Sequence, residues 1–334
     1  MPPRFSVVIP TRDRPASLNR CLAALGRQTQ PAGDYEVIVV VDGTDLEPPS
    51  VPGPEDPGPP VRVVQVPHQG PGGARNAGAA VADGEYLAFT EDDVLPAPDW
   101  LERAARHLST DPVEILEGRT LLEGTDRATR RAEPEPVPSF IPCNLVVRSD
   151  TFDSLGGYDT RFFDPTTGLY FREDVEFGFR ALERGCRHAI DPSMIVEHPE
   201  QFESLAAALG HARRYVFDPL LYRAHRRLYR ELIEVKRVLG VRLRRPLHLV
   251  SGTAVLAWFG LVVSASLGAW TAALIAASIA IAASVAVRVK YQGRRAWRVW
   301  ELPAGLTFAA LPFVYFGALA RGCVRARGGV GVFW

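Results

Sequence analysis

A run of 42 residues without any Asp, Glu, Lys or Arg, from Pro246 to Val287, constrains this chain's fold more than any other feature. As one helix it would measure about 60 Å, about twice the thickness of the hydrocarbon core of a bilayer. Two helices joined near Gly268 fit that thickness better. The run therefore predicts a transmembrane helical hairpin with spans at about 247–268 and 271–288.

The charged residues are divided unevenly along the chain. Residues 1–220 contain 21 Lys and Arg against 35 Asp and Glu, whereas residues 221–334 contain 17 against 3. Basic residues flank the apolar run on both sides, so the positive-inside rule places the acidic part of the chain in the cytoplasm. A basic region that also carries apolar spans favours membrane lipids over nucleic acid as a partner. The sequence thus predicts a multi-pass protein of the cytoplasmic membrane.

A third apolar stretch, residues 302–320, is interrupted by Pro312 and followed by three arginines, at positions 321, 325 and 327. If the hairpin begins and ends in the cytoplasm, a third crossing would place these arginines outside. The stretch is therefore predicted to be either a third span or a re-entrant or interfacial segment. Helices of this region also offer a surface for a homo-oligomer.

The four cysteines are scattered and include no Cys-x-x-Cys pair. They predict neither a disulfide framework nor a zinc site, and they favour a reducing setting. The first residues, MPPRFSVVIP, contain no apolar run of signal-peptide length. Both observations agree with a cytoplasmic acidic region.

Short apolar runs alternate with helical patterns over the first 200 residues. The predicted strands are Phe5–Ile9, Tyr35–Val41, Val61–Val66 and Glu85–Phe89. The predicted helices are Arg14–Gln28, Gly73–Ala82 and Asp99–Leu108. This alternation predicts an α/β fold with a mostly parallel sheet and helices on both faces, which we assign to a domain of residues 1–200.

The segment 201–245 is predicted to link this domain to a membrane region, 246–334. Apolar residues recur at helical spacing from Leu221 to Leu239, and arginines occupy the opposite face. The pattern predicts an amphipathic helix in the membrane plane, or otherwise an ordinary packed helix. Two further segments are predicted to be irregular: Pro48–Pro60, an exposed loop with seven prolines, and Glu123–Pro138, a surface loop or a mobile lid.

Three consecutive acids, Glu91, Asp92 and Asp93, follow the strand that ends at Phe89. The carboxyl ends of parallel strands are where open α/β sheets bind ligands. Adjacent carboxylates repel one another unless a cation lies among them, and oxygen-rich clusters suit Mg²⁺ or Mn²⁺ beside a diphosphate. A solvated acidic turn is the alternative interpretation.

Three other motifs carry polar groups that suit a reaction site. Glu173 and Asp174 open a helix, where a carboxylate stays ionised and can accept a proton, or merely complements the helix dipole. His198 ends a short apolar run and is either a structural histidine or a third metal ligand. The glycine-rich segment 70–78 begins a helix at which Arg75 would steady a phosphate, although as a dinucleotide signal it is weak.

The ordered series of motifs resembles the family 2 glycosyltransferases. The segments Ser6–Arg14, Val39–Asp45, Gly73–Gly78, Phe89–Asp93 and Glu173–Asp174 carry the resemblance. Single motifs are loose, but their order over about residues 4–200 is specific. The resemblance implies the GT-A fold, which is Rossmann-like, and a metal-dependent transfer of sugar from a nucleotide-sugar donor with inversion of configuration.

The resemblance also implies a role for each matching residue. Asp174 would be the general base, and the metal, Mn²⁺ or Mg²⁺, would be held by Asp93, Glu91 and His198. The residues implied to bind the donor are Pro10, Thr11, Arg12, Asp42, Arg75 and Asp92. Those implied to lie near the acceptor are Trp100, Asn144, Gly157, Tyr158 and Glu173.

The sequence departs from the family pattern at two places. Glu91 replaces the usual first Asp of the metal motif, and no Gln-x-x-Arg-Trp follows the base, which disfavours a processive polymerase. The acceptor is expected to be a lipid-linked or cell-envelope saccharide; with polyprenyl phosphate as acceptor, no base would be needed. A nucleotidyltransferase is disfavoured because Pro10–Arg14 lacks the glycines of a phosphate loop, and an inactive sugar-nucleotide-binding membrane protein is the non-enzymatic alternative.

Overall fold

A computed structural model of the chain describes residues 2–45, 49, 51, 58–122, 139–198, 205–238, 241–292 and 310–326. The chain forms two compact units, Met1–Glu200 and Gln201–Trp334. Each unit is described by itself below. Most of the predicted loop 48–60 and all of the predicted loop 123–138 lie outside the described residues.

The first unit is built on an eight-stranded mixed sheet. Its strands are β1 (Phe5–Thr11), β2 (Tyr35–Asp42), β3 (Val61–Val66), β4 (Tyr86–Phe89), β5 (Leu95–Pro96), β6 (Ile115–Leu122), β7 (Leu145–Arg148) and β10 (His188–His198). Their order across the sheet is β3-β2-β1-β4-β7-β6-β10-β5. Strands β3, β2, β1 and β4 run parallel, as do β6 and β10, whereas β7 and β5 pair antiparallel with their neighbours. The prediction of a mostly parallel sheet is confirmed.

Helices cover both faces of this sheet, as predicted. The helices are α1 (Pro15–Leu25), α2 (Gly70–Ala79), α3 (Trp100–Thr110), α4 (Ser149–Leu155) and α5 (Glu173–Glu183). Along β1, Val7 and Ile9 point into a core shared with α1 and α3, whereas Val8 points into a second core shared with α2, α4 and α5. The period-two alternation of a strand thus supplies both cores from one apolar run.

Short elements complete the first unit. They are the 3₁₀ turns Ala32–Asp34, Pro142–Asn144 and Thr160–Phe162, and a hairpin of β8 (Phe163–Asp164) and β9 (Leu169–Tyr170). The predicted strands and helices before residue 110 are confirmed, with bounds that shift by a few residues. Sequence analysis did not predict β6 or β7. Residues 123–138 lie between these two strands in the chain.

At a bulge in β10, the buried side-chain amide of Asn144 joins β10 to β6. The register between β6 and β10 shifts between Asp191 and Ile195. The Asn144 amide Nδ2 donates to Met194 O at 3.0 Å and to Arg119 O at 3.1 Å. Gly118 lies between them, and a Cβ at this position would overlap Met194 O and the Asn144 amide.

The second unit combines short helices, one hairpin and three longer helices. Its elements are α6 (Leu205–Arg214), a 3₁₀ turn (Tyr215–Phe217), α7 (Asp218–Ala224), α8 (Arg226–Leu228), a π-helical turn (Tyr229–Ile233), β11 (Val235–Val238), β12 (Val241–Arg244), α9 (Pro246–Ser266), α10 (Trp270–Gln292) and α11 (Leu311–Arg325). Within this unit α11 packs against α6, α7 and α9.

The prediction of one amphipathic helix from Leu221 to Leu239 is wrong. The helical stretch breaks at His225, whose φ is −132°, and ends at Ile233, after which Val235–Val238 pairs antiparallel with Val241–Arg244. Val235, Val238 and Val241 are β-branched and favour extended backbone. Local β propensity therefore outweighed the helical spacing of the leucines.

Two apolar helices, α9 and α10, are joined through Gly268, whose φ of +70° suits glycine, and pack against each other. Among the described residues, Leu247–Ser266 is the one helix with the length and composition to cross a bilayer, and the apolar part of α10, Trp270–Ala286, is shorter. Leu256 and Leu267 are 74% and 76% exposed. Further exposed apolar side chains on these helices are Leu249, Phe259, Val262, Val263, Trp270, Leu274, Ile275, Ile279 and Ile281.

The third apolar stretch is described only from residue 310. Pro312 lies in the first turn of α11, where its missing N–H costs nothing, so within the described part it begins a helix instead of interrupting one. This helix continues through Arg321 to Arg325 and buries Leu311, Tyr315 and Leu319.

Substitution of Gly118 should destabilise the first unit. In a Gly118→Ala variant the new methyl group meets a backbone carbonyl and a buried amide that cannot both move, so the free energy of unfolding should fall by about 1–3 kcal/mol. Urea denaturation measures this change. Gly33→Ala is the control, because no described atom lies within 4 Å of its Cβ position; equal stability of the two variants would contradict the packing described here.

Candidate functional site

Polar side chains gather where the parallel strands of the first unit end. Thr11 and Asp42 close β1 and β2, and the acidic run 91–93 follows β4. Since β1 pairs in parallel with both β2 and β4, these three ends lie at one edge of the sheet. The structure therefore brings the predicted donor and metal residues of these strands to a single edge.

The middle acid of the run is held from two sides. The buried Thr11 hydroxyl donates to Asp92 Oδ2 at 2.7 Å, and the Arg14 guanidinium lies 3.4 Å from Asp92 Oδ1. Arg14 Nη1 also donates to Asp93 Oδ2 at 2.9 Å. Burial raises the pKa of Asp92, and the Thr11 hydrogen bond and the Arg14 charge oppose that rise only in part.

The outer two acids meet a histidine from another strand. Ligand atoms of Glu91, Asp93 and His198 lie within 4.8 Å of one another, and His198 Nε2 is 3.7 Å from Asp93 Oδ1. His198 is the last residue of β10. Two carboxylates and an imidazole are ligands that suit Mn²⁺ and similar divalent ions, so the donor set fits the predicted metal.

Arg75 connects this cluster to the start of α5. Its Nη2 donates to Glu91 Oε1 at 3.1 Å, and its Nη1 lies 3.9 Å from Glu173 Oε1. The guanidinium is buried and lies over the Tyr158 ring, 5.7 Å from the centroid. Burial lowers the pKa of Arg75, but Glu91, Tyr158 and Glu173 outweigh it, so its pKa is raised and the group stays charged.

The first turn of α5 holds two carboxylates in different environments. Asp174 is half-buried, and its Oδ1 accepts from Val175 N at 2.7 Å. Glu173 is buried. Burial raises its pKa, Asp174 adds to the rise, and Arg75 opposes it. Before the helix, Arg172 takes a left-handed backbone with φ of +77°, which turns the chain into α5.

Asp42 fixes the start of α2. Its Oδ1 accepts from Gln69 N at 2.8 Å, and its Oδ2 accepts from Gly70 N at 3.1 Å and lies 2.9 Å from His68 Nδ1. The exposed Arg12 donates to the Asp42 backbone carbonyl and lies 3.5 Å from Asp45. Pro10, the preceding residue of β1, is half-buried.

The segment Gly157–Tyr158 is docked on α2 by Asn76. The Asn76 amide donates to Tyr158 O at 2.8 Å and accepts from Tyr158 N at 2.7 Å. Gly157 has φ of +67°, and a Cβ there would lie 2.6 Å from Asn76 Oδ1, so only glycine fits. Tyr158 is buried, and its hydroxyl has no hydrogen-bond partner among the described residues.

Two residues predicted to lie near the acceptor are instead part of the core. Trp100 is fully buried, and its Nε1 donates to Asn144 Oδ1 at 2.8 Å. Asn144 is also buried, and its amide hydrogens bind two backbone carbonyls of β6 and β10. All polar atoms of this pair are used to join strands and α3, so we do not retain them as acceptor contacts.

Sequence analysis missed two residues that organise the site. Arg14 binds two of the three acids, and Asn76 positions Gly157 and Tyr158. Both lie inside motifs that the family resemblance rests on, but neither was assigned a role. A basic residue just beyond a strand neighbouring an acidic run is the signal that would have identified Arg14.

Comparison with known proteins places the site within a family profile. The profile described as "Glycosyl transferase family 2" matches residues 6–179, which include every site residue above except His198. A solved structure of S. aureus TarS 1-349 in complex with UDP is 15% identical and covers 94% of this chain and 91% of its own, with a TM-score of 0.47.

Several named relatives match part of the chain. A "Pre-mycofactocin glycosyltransferase" of Mycobacterium tuberculosis is 29% identical over 214 residues, 58% of this chain and 42% of the relative. A "Validoxylamine A glucosyltransferase" of Streptomyces hygroscopicus is 38% identical over 228 residues (55% and 52%), and the "Succinoglycan biosynthesis protein ExoO" of Rhizobium meliloti is 30% identical over 227 residues (58% and 64%). The chain spans about half the length of these relatives.

Replacing Glu173 by Gln should change how stability depends on pH. A carboxyl whose pKa is raised on folding stabilises the fold below its usual pKa and loses that contribution as the pH rises through the raised value. Between about pH 5 and about pH 8, Glu173→Gln should therefore gain on the order of 2 kcal/mol in free energy of unfolding relative to the wild type. Urea denaturation with a chelator present measures it.

The control for that experiment is Glu183→Gln, since Glu183 is exposed at the other end of the same helix. Its stability difference from the wild type should be the same at both pH values. If Glu173→Gln behaves like this control, Glu173 is not the buried carboxyl described above.

Proposed function

The chain belongs to glycosyl transferase family 2, and on that premise we propose that it transfers a sugar from a nucleoside-diphosphate sugar to an acceptor hydroxyl with the help of a divalent metal. The observation that carries the proposal is the meeting of Glu91, Asp93 and His198 at the carboxyl edge of the sheet. A metal site at that edge lies where α/β sheets bind phosphorylated ligands.

For the donor, we propose that the nucleoside binds beside the ends of β1 and β2. Asp42 supports this role because a carboxylate has about four lone-pair sites, and three polar contacts use Asp42 in the fold. One site then remains for the imide N–H of a base. Pro10, Thr11 and Arg12 flank this position, and Asp92 holds Thr11 in place.

Arg75 is proposed to contact the ribose or diphosphate. Its Nε and Nη1 have no hydrogen-bond acceptor among the described residues, although both are buried. A buried N–H without an acceptor costs about 1–3 kcal/mol, so an oxygen of the donor that accepts from Arg75 would remove this penalty. The same guanidinium keeps Glu91 in place beside it.

Glu91, Asp93 and His198 would hold a Mn²⁺ or Mg²⁺ ion. Such an ion, when bound, supplies positive charge that stabilises the leaving nucleoside diphosphate. Arg14 lies on the outer side of the acids and lowers their mutual repulsion. The longer side chain of Glu91, in place of the usual Asp, is tied by Arg75 and so has a fixed direction.

Asp174 is proposed as the general base. Its half-buried carboxylate lies in the first turn of α5, where the helix dipole favours the ionised form. It would take the proton from the acceptor hydroxyl as that oxygen attacks the anomeric carbon, and the bond to the diphosphate would break on the opposite face. A single displacement of this kind inverts the configuration. Gly157, Tyr158 and Glu173 are proposed to shape the acceptor side.

For the setting, we propose that α9 and α10 form a membrane hairpin with residues 1–200 on the cytoplasmic face. The exposed apolar side chains of α9 and α10 and the basic residues on both sides of them support this. The relatives are named for different molecules: pre-mycofactocin, succinoglycan and validoxylamine A. A membrane anchor favours a lipid-linked or cell-envelope saccharide, and contacts between these helices of two copies would give a homo-oligomer.

A panel of nucleotide-sugar donors tests the proposal. The purified protein should release nucleoside diphosphate from one or a few donors with Mn²⁺ or Mg²⁺ present, and release should stop with a chelator. Asp93→Asn should lower the rate and the metal affinity by at least about tenfold, because it removes a charged ligand. Asp83→Asn, an exposed acid at the opposite end of β4, is the matched control. Donor turnover that is indifferent to metal and to Asp93 would overturn the metal site.

Asp174→Asn should separate base catalysis from donor binding. General-base assistance is typically worth about 10²–10⁴-fold, so the variant should lose at least about 10²-fold in transfer to acceptor. Its donor affinity, measured by calorimetry with nucleoside diphosphate and Mn²⁺, should stay close to that of the wild type. Glu183→Gln is the control on the same helix, and near-normal transfer by Asp174→Asn would reject the assignment.

A further inference from the structure

Three arginines of the second unit surround one buried tyrosine. The guanidinium carbons of Arg226, Arg230 and Arg245 each lie 5.7 Å from the centroid of the Tyr222 ring. The Tyr222 hydroxyl accepts from Arg226 Nε at 3.1 Å and from Arg230 Nη2 at 3.0 Å. We call these four residues the arginine cage.

The cage carries more positive charge than its neighbours neutralise. Residues 205–245 contain eleven Lys and Arg against three acids. Of these acids, Glu234 is buried and pairs with Arg245, and the buried Asp218 accepts from the Tyr229 hydroxyl at 2.6 Å. Neither Arg226 nor Arg230 forms an ion pair with any carboxylate of the described residues. Both are exposed, so their remaining N–H groups can bind an anion from outside.

Arg226 and Arg230 both donate to the Tyr222 hydroxyl, so their two positive charges lie close together and repel each other. Burial raises the pKa of Tyr222, but the hydrogen bonds from Arg226 and Arg230 outweigh burial, so its pKa is lowered. An anion between the two guanidinium groups would relieve their repulsion. Phosphate suits this place because guanidinium groups bind its oxygens with two parallel hydrogen bonds.

The position of the cage indicates where such a phosphate comes from. Arg245 immediately precedes α9, and its backbone forms the cap of that helix. Apolar side chains are exposed along α9 from Leu249 onward. Headgroup phosphates lie just outside the hydrocarbon core, at the level where an apolar span begins.

We propose that the arginine cage binds the phosphate of an anionic phospholipid headgroup, with Arg226 and Arg230 as its direct ligands. Tyr222 orients the two guanidinium groups, and the pairing of Arg245 with Glu234 ties the cage to the start of α9. The site lies in a different unit from the residues of the reaction site and rests on the membrane association proposed above. It fixes the depth at which the chain meets the bilayer surface.

Binding of soluble short-chain lipids to the full chain in neutral detergent tests the proposal. Dihexanoyl phosphatidylglycerol should raise the thermal midpoint of unfolding in a concentration-dependent manner, because a ligand that binds only the folded state stabilises it. Dihexanoyl phosphatidylcholine and inorganic phosphate are the comparison probes. Weaker stabilisation by both supports a lipid headgroup site, and stabilisation by inorganic phosphate as strong as that by the anionic lipid would overturn it.

A pair of double variants separates the cage from general positive charge. Arg226→Gln/Arg230→Gln should weaken binding of the anionic lipid by at least about tenfold, the scale of losing charge-assisted hydrogen bonds. Arg213→Gln/Arg227→Gln removes the same charge from two exposed arginines that have no described contact with Tyr222, and it should change binding by less than about threefold. Equal losses in the two double variants would overturn the proposal.

A third measurement guards against misfolding and against confusion with the proposed function. Tyr222→Phe keeps the ring and all charges, and it should weaken lipid binding while the unliganded thermal midpoint stays near that of the wild type. Metal-dependent release of nucleoside diphosphate is measured on the same samples. If the wild type releases nucleoside diphosphate but binds no anionic lipid, the cage proposal fails and the proposed function stands. If it binds the lipid but releases no nucleoside diphosphate, the proposed function fails and the cage proposal stands.

Discussion

The repulsion among Glu91, Asp92 and Asp93 is the constraint on which the rest of the site depends. Three adjacent carboxylates lie where β4 ends, partly shielded from water, and each needs its own compensation. Asp92 receives it from the Thr11 hydroxyl and Arg14, Asp93 from Arg14, and Glu91 from Arg75. Thr11 ends β1, Arg14 immediately precedes α1 and Arg75 lies within α2, so these hydrogen bonds and ion pairs tie the end of β4 to three other elements.

Arg75 extends this network to the start of α5. The buried Arg75 guanidinium lies between Glu91 and Glu173. Without it, both carboxylates would lose their compensating positive charge in a place that water reaches poorly. Arg75 thus links one proposed metal ligand, Glu91, to Glu173, the residue that precedes the proposed base. The arrangement also explains why Glu173 and Asp174, although adjacent, differ: burial raises the pKa of Glu173 beside Arg75, whereas Asp174 is half-buried and hydrogen-bonded to the backbone of its own helix.

The second unit combines exposed apolar helices with a high density of arginine. Apolar surface such as that of α9 is unfavourable in water, and clustered guanidinium groups repel each other without anions. A bilayer with anionic headgroups satisfies both conditions at adjacent depths. The proposed catalytic and lipid-binding roles thus use the same principle: fixed charges of one sign that are stabilised by a ligand of the other.

The sequence by itself determined the elements whose signal is local. Apolar runs such as Tyr35–Val41 defined strands, the acidic run marked the carboxyl edge where the candidate site residues gather, and the charge-free stretch defined two apolar helices. Only the tertiary structure decided what depends on distant partners: that Trp100 and Asn144 pair inside the core, that Arg14 and Asn76 organise the site, and that the segment after Ile233 pairs as a hairpin. The physical reason is that periodicity reports which face of an element is apolar, whereas the partner of a buried polar group is set by chain segments far apart in sequence.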